Sequence, residues 1–313
     1  MDIFVSSYDD KKTITFGKLD KHGKMENVYE EHLNNLPSYI KKFDNYLYVA
    51  QKKADDVNSL GIMEYKILDD RLEKINLYKS LASFTHIYVN KKYIIGASYH
   101  QGLVQIFEKN SNKSITKIFP NSKIHNVGYI DNIEKYYAVD LAGNCIYFFE
   151  IKNNKFVNER IVNLEKDDMP RHIWHSAGNA YLYIVNENSS KVKVLDLENE
   201  YRWIQEIDTV TEKCGNNPAA IMADEEGRYI FVSNRGKNNV VVFKVMDNKG
   251  GLKYWYEIDH FFENPRDLYI KNGILYVASQ DTNEVKVFKL YNLAKKYELL
   301  QSFNVDTPVC IEI

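Results

Sequence analysis

Short apolar runs that end in polar clusters recur along the chain. They read Tyr46-Leu-Tyr-Val-Ala-Gln-Lys52, Tyr93-Ile-Ile-Gly-Ala-Ser-Tyr99, Tyr136-Tyr-Ala-Val-Asp-Leu141, Tyr181-Leu-Tyr-Ile-Val-Asn-Glu187, Tyr229-Ile-Phe-Val-Ser-Asn-Arg235 and Ile274-Leu-Tyr-Val-Ala-Ser-Gln280. A second run then alternates or stays apolar, as in Gly61-Ile-Met-Glu-Tyr-Lys-Ile67, Lys191-Val-Lys-Val-Leu-Asp-Leu197 and Asn239-Val-Val-Val-Phe-Lys-Val245. Runs of this length, rich in β-branched and aromatic residues, predict strands. A more variable strand such as Trp203-Ile-Gln-Glu-Ile207 follows, and Asp247-Asn-Lys-Gly-Gly251 reads as a turn. No segment sustains the 3.6-residue period of a long amphipathic helix.

One further pattern precedes each run. The segments beginning at Pro37, Phe84, Ile124, Pro170, Pro218, Pro265 and Pro308 each show Pro or an apolar residue, two variable positions, then Ile, Leu or Val. Their starts lie 47, 40, 46, 48, 47 and 43 residues apart, and five of the six prolines occupy the first position. That spacing predicts one all-β domain over residues 1–313, a seven-bladed β-propeller of four-stranded blades. The N-terminus starts with a second-strand pattern, Ile3-Phe-Val-Ser-Ser-Tyr8, and the chain ends on a first-strand pattern at Ile313. The C-terminal strand is therefore expected to complete the blade of the N-terminal strands, removing free sheet edges.

Composition agrees with strands: 24 Tyr and 15 Phe, with 27% charged residues. A net charge of −2 gives no reason to expect a nucleic acid or an anionic membrane as partner. Cys145, Cys214 and Cys310 are too scattered for a disulfide framework or a zinc site. No metal or cofactor is expected. Without a basic leader or a long apolar run, a cytoplasmic location is the expectation. The sequence carries no reading of oligomeric state.

In an up-and-down blade, the start of the first strand and the end of the second meet at one mouth. First-strand starts supply His86, His125, Arg171, His172 and Arg266 with Asp267. Second-strand ends supply Tyr99, Asp140, Asn186 with Glu187, Asn234 with Arg235, and Gln280. Charges gathered there are costly to desolvate unless they pair or bind an anion. A pocket for a small anionic ligand is the functional expectation, and a salt bridge between blades serves Arg171 and Glu187 equally well. His172 and His175 fit a structural role, and Cys310 fits an inert small hydrophobe.

At these residues the chain resembles the seven-bladed lactonase family, which includes propeller-type 6-phosphogluconolactonases and fungal carboxy-muconate cycloisomerases. The matching stretches are Pro170-Arg-His-Ile-Trp-His175, Leu182-Tyr-Ile-Val-Asn-Glu187, Glu226 to Gly236, Asn264-Pro-Arg-Asp-Leu268 and Pro308-Val-Cys-Ile311. The likeness is strong from about residue 165 onward and fainter before it. Lys123 stands where the family tends to have the first His of a pair, and Ser98 where it usually has Asn. The resemblance implies a metal-independent catalytic site of His125, Arg171, Glu187 and Arg235. His86, Tyr99, Asp140, His172, Asn186, Asn234 and Arg266 are its candidate substrate contacts.

Hydrolysis of a sugar lactone needs an activated water, a donor for the oxyanion and a grip on the substrate. Glu187 or His125 is the candidate base, and Arg171 and Arg235 the candidate anion holders. The implied activity is hydrolysis of 6-phosphogluconolactone to 6-phosphogluconate, a carbohydrate-metabolism step of the pentose phosphate pathway. A muconate-type cycloisomerase and a non-enzymatic interaction platform are the alternatives.

Overall fold

The structure, a computed structural model, describes residues 1–52, 57–111, 113–175, 180–212, 214–246, 250–291, 293 and 295–313. Residues 247–249 of the expected turn before Gly251 lie outside the described residues. Among those described there is no α-helix, only short 3-10 turns such as Val57–Ser59 and Asp131–Ile133.

The strands form seven antiparallel four-stranded sheets. Sheet one sets Pro308–Glu312 beside Asp2–Ser7, then Thr13–Leu19 and Met25–His32. Sheet two runs Leu36–Phe43, Tyr46–Lys52, Gly61–Ile67, Leu72–Lys79, and sheet three His86–Val89, Tyr93–Ser98, Leu103–Glu108, Ser114–Ile118. Sheet four comprises Ile124–Ile130, Lys135–Asp140, Cys145–Lys152 and Lys155–Asn163. Sheet five comprises Pro170–His175, Tyr181–Asn186, Lys191–Asp196 and Arg202–Asp208. Sheet six comprises Asn217–Ala223, Tyr229–Arg235, Asn239–Val245 and Leu252–Ile258, and sheet seven Pro265–Lys271, Ile274–Ser279, Glu284–Tyr291 and Lys296–Asn304. The C-terminal strand thus pairs with the N-terminal one, as the terminal patterns predict.

Two compact units contain these sheets. The first takes Met1–Tyr129, Glu134–Asn163 and Val309–Ile313, the second Ile130–Ile133 and Leu164–Pro308. In the first unit, Phe4, Phe16, Ile40, Val49 and Tyr65 form the core between sheets one and two. Lys41 Nζ reaches Glu312 Oε1 at 2.8 Å, holding the terminal strand from the side of sheet two. In the second unit, Tyr183, Val194, Ile221 and Phe243 pack between sheets five and six.

One aromatic position repeats in this packing. Tyr48, Tyr183, Phe231 and Tyr276 hold the same place in their second strands and are at most 1% exposed. Such a ring fills the space between sheets, and its removal typically costs about 3–5 kcal/mol. Outer strands are wetter: Ser114–Ile118 alternates exposed and half-buried residues, whereas Tyr93–Ser98 is buried throughout.

Candidate active site

The prolines of the repeat have a structural cause. Register shifts follow Pro37, Pro170, Pro218 and Pro265, where the first strand holds an extra residue against the second. Proline lacks the N–H that a regular ladder needs, so it suits the edge of a bulge, and a bulge re-aims a side chain. Arg171 is the extra residue between the pairs Pro170↔Asn186 and His172↔Val185. Arg266 is its counterpart between Pro265↔Ser279 and Asp267↔Ala278.

Three of the four candidate catalytic side chains meet in the second unit. Arg171 Nε and Arg235 Nη2 each lie 3.0 Å from the same Glu187 Oε2. Neither N–H is aligned as a hydrogen bond, so charge and not bond direction holds them there. Arg171 also donates from Nη1 to Ala219 O at 2.6 Å, and Arg235 from Nε to Asn217 O at 3.0 Å. Glu187 follows the second strand of its sheet, its own N–H fixed on Met169 O at 2.8 Å. Its side chain is 27% exposed, while Arg171 is only 4% exposed.

Arg266 extends this cluster. Its Nη1 donates to Gln280 Oε1 at 3.3 Å, and its charge bears on both Arg171 and Arg235. Burial, and then the neighbouring Arg235 charge, push the Arg171 guanidinium down to about 9, against the pull of Glu187. Arg235 is lowered by burial too, again opposed by Glu187. Three guanidiniums, of Arg171, Arg235 and Arg266, thus gather around Glu187 and Asp267. A cavity of about 490 Å³ opens beside them, lined by Glu187, Arg235, Asn217, Glu263, Asn264 and Asp281. Gly236, the turn glycine after Arg235, has φ +96°, and a Cβ there would come within 2.0 Å of Gly215 O.

Other candidates are engaged in the fold. Asn186 is fully buried and donates to Ile184 O and Lys191 O, both at 3.3 Å. Asn234, equally buried, donates to Asn239 Oδ1 at 2.9 Å and accepts from Asn216 Nδ2 at 3.2 Å. The network joins Asn216, just before its strand, to Asn234 and Asn239 of two other strands, a meeting that no sequence pattern marks. His172 is half-buried beside the bulge.

The first unit holds the remaining candidates. His125 is half-buried with its ring edge-on to Tyr99 at 5.9 Å, and His86 packs on Tyr39 at 4.1 Å. Asp140 is fully buried, and its Oδ1 accepts the backbone N–H groups of Lys123 and Gly143, both at 2.9 Å. This carboxylate braces a turn. Among the described residues no group of three or more His, Cys, Asp or Glu is placed to hold a metal, and no helix is long and apolar enough to cross a membrane.

Comparison with known proteins gives this geometry a context. The family model described as "Lactonase, 7-bladed beta-propeller" matches residues 2–313. A 6-phosphogluconolactonase of Bacillus subtilis is 24% identical, with 93% of this chain and 95% of that protein aligned. Among solved structures, a protein from Lactobacillus plantarum superposes with a TM-score of 0.87 at 21% identity, covering 99% of this chain and 98% of that one. The periplasmic gluconolactonase of Pseudomonas aeruginosa gives 0.85 at 20% identity, covering 99% and 98%. The fold is a seven-bladed β-propeller, and the seven four-stranded sheets are its blades.

Proposed function

Because the chain belongs to the lactonase family of seven-bladed β-propellers, we propose that it is a lactone hydrolase that opens a sugar lactone, with 6-phosphogluconolactone as substrate. The observation that carries this reading is the meeting of Arg171 and Arg235 on one oxygen of Glu187, with Arg266 adding a further charge. A clamp between sheets needs only one guanidinium on Glu187, and the second is available to an anion or to a carbonyl gaining negative charge.

The residues divide the work. Arg171 and Arg235 turn buried N–H groups toward the place where the carbonyl oxygen becomes an oxyanion, a contribution of about 10²–10³ in rate per donor. Glu187 spends Oε2 on the guanidiniums, and Oε1 is left to take the proton of the attacking water. Water adds to the carbonyl, the ring C–O bond breaks, and the proton held by Glu187 passes to the leaving ring oxygen. The amides and carboxylates of the adjoining cavity suit a hydroxyl-rich ring.

The test is the decay of freshly generated 6-phosphogluconolactone, with glucono-1,5-lactone and a carboxy-muconate run in parallel. Hydrolysis well above the spontaneous rate supports the reading. Turnover of the muconate alone would assign the cycloisomerase reaction instead, and turnover of none would leave the hydrolase reading without support.

A further inference from the structure

We propose that Lys52, His100 and Lys123 form a binding site for a phosphate group in the first unit. Three strand ends supply it: Lys52 closes Tyr46–Lys52, His100 follows Tyr93–Ser98, and Lys123 precedes Ile124–Ile130.

Each lysine rests on a tyrosine. Lys52 Nζ lies 4.6 Å from the Tyr8 ring centre, and Lys123 Nζ lies 5.0 Å from that of Tyr99. The Tyr99 ring meets His100 edge-on at 5.2 Å, so the lysine, the tyrosine and the imidazole form one patch. The Lys123 backbone is pinned by its N–H on Asp140 Oδ1 at 2.9 Å and by Leu141 N–H on its carbonyl at 3.0 Å. Asp140 is in this sense a positioning residue.

What the lysines lack is informative. Lys18, Lys41 and Lys74 all sit against carboxylates. Among the described residues neither Lys52 nor Lys123 has a carboxylate partner, and the only contacts of their ammonium groups are aromatic. Tyr46–Lys52 packs against the strand Tyr93–Ser98, which packs in turn against Ile124–Ile130, so the three ends are neighbours; partial burial, then Lys52 and Lys123, lower the His100 imidazole from its usual value. Cations held near one another with no carboxylate beside them among the described residues favour a bound anion.

A dianion fits better than a single carboxylate. Two ammonium groups match the charge of a phosphate at neutral pH, and each keeps N–H donors beyond the ring face. His100 adds another donor, and the tyrosine rings give an apolar floor for the carbon skeleton of a phosphomonoester. The site itself stands on its own geometry.

Calorimetric titration of the full chain with inorganic phosphate, with 6-phosphogluconate and with gluconate tests the proposal. The wild type should bind the two phosphates and not gluconate at this site. Lys52→Gln with Lys123→Gln, the first half-buried, the second exposed and the pair checked for an unchanged melting temperature, should weaken phosphate binding about tenfold per lysine. Phosphate binding unchanged in that variant, or undetectable at millimolar phosphate in the wild type, overturns the proposal. Should neither lactone be hydrolysed, the hydrolase reading fails and the titration still decides the site.

Discussion

Arg171 and Arg266 are the same position of the repeat: each is the extra residue of a bulge directly after a proline, in sheets five and seven. The bulge sets Arg171 against Glu187, and the charge of Arg266 reaches Arg171 and Arg235. A local backbone irregularity thus gathers guanidiniums from different sheets, and the chemistry proposed here depends on that gathering.

Arg235→Gln separates catalysis from structural support. Its side chain is 17% exposed and its contacts are one carboxylate and one carbonyl. The expected outcome is a fall of about 10²–10³ in kcat/KM with a melting temperature lowered by only a few degrees. Initial rates and a thermal melt on one preparation check both. A clamp without catalytic use would show the opposite pattern.

Glu187→Gln removes the negative charge and keeps the shape. Hydrolysis should drop by about 10²–10⁴, as expected for a lost general base. Affinity for the anionic product should rise, because Arg171 and Arg235 would then face no carboxylate between them. Product titration against wild type and variant reads this directly.

The sequence made the seven sheets, the terminal closure and the Arg171–Glu187–Arg235 meeting legible, because each depends on a repeat position that recurs in register. Proline was the clearest marker, and its cause is the bulge after it. Asp140, Asn186 and Asn234 show where reading by position falls short. Polar residues at strand ends serve turns as well as ligands, and these three spend atoms on the backbone or on other asparagines. Lys52 and His100 escaped notice because a lysine without an acid partner looks in sequence like any other surface lysine.

Anion binding should depend on pH with a definite sign. Burial and the Arg235 charge hold Arg171 at about 9 in the folded chain, below the usual arginine range. Below that pH Arg171 is charged, its burial opposes stability, and a bound anion relieves the cost. As pH rises through 9, Arg171 loses its proton, the cost fades and the anion loses its partner. The rise in melting temperature produced by a bound sulfate or product carboxylate should therefore shrink between pH 7 and pH 10. In Arg171→Gln that dependence should flatten.

Gly236→Ala tests the turn that presents Arg235. With φ +96° and Gly215 O only 2.0 Å from the added carbon, the substitution should cost about 2–4 kcal/mol. Denaturant unfolding checks the loss, and activity should fall with it as Arg235 shifts.

The most direct measurement is a crystal structure with the hydroxy-acid product bound. The product carboxylate should lie within hydrogen-bond distance of both Arg171 and Arg235, beside Glu187 Oε1. A well-ordered product bound elsewhere, with these three side chains still closed on one another, would contradict it.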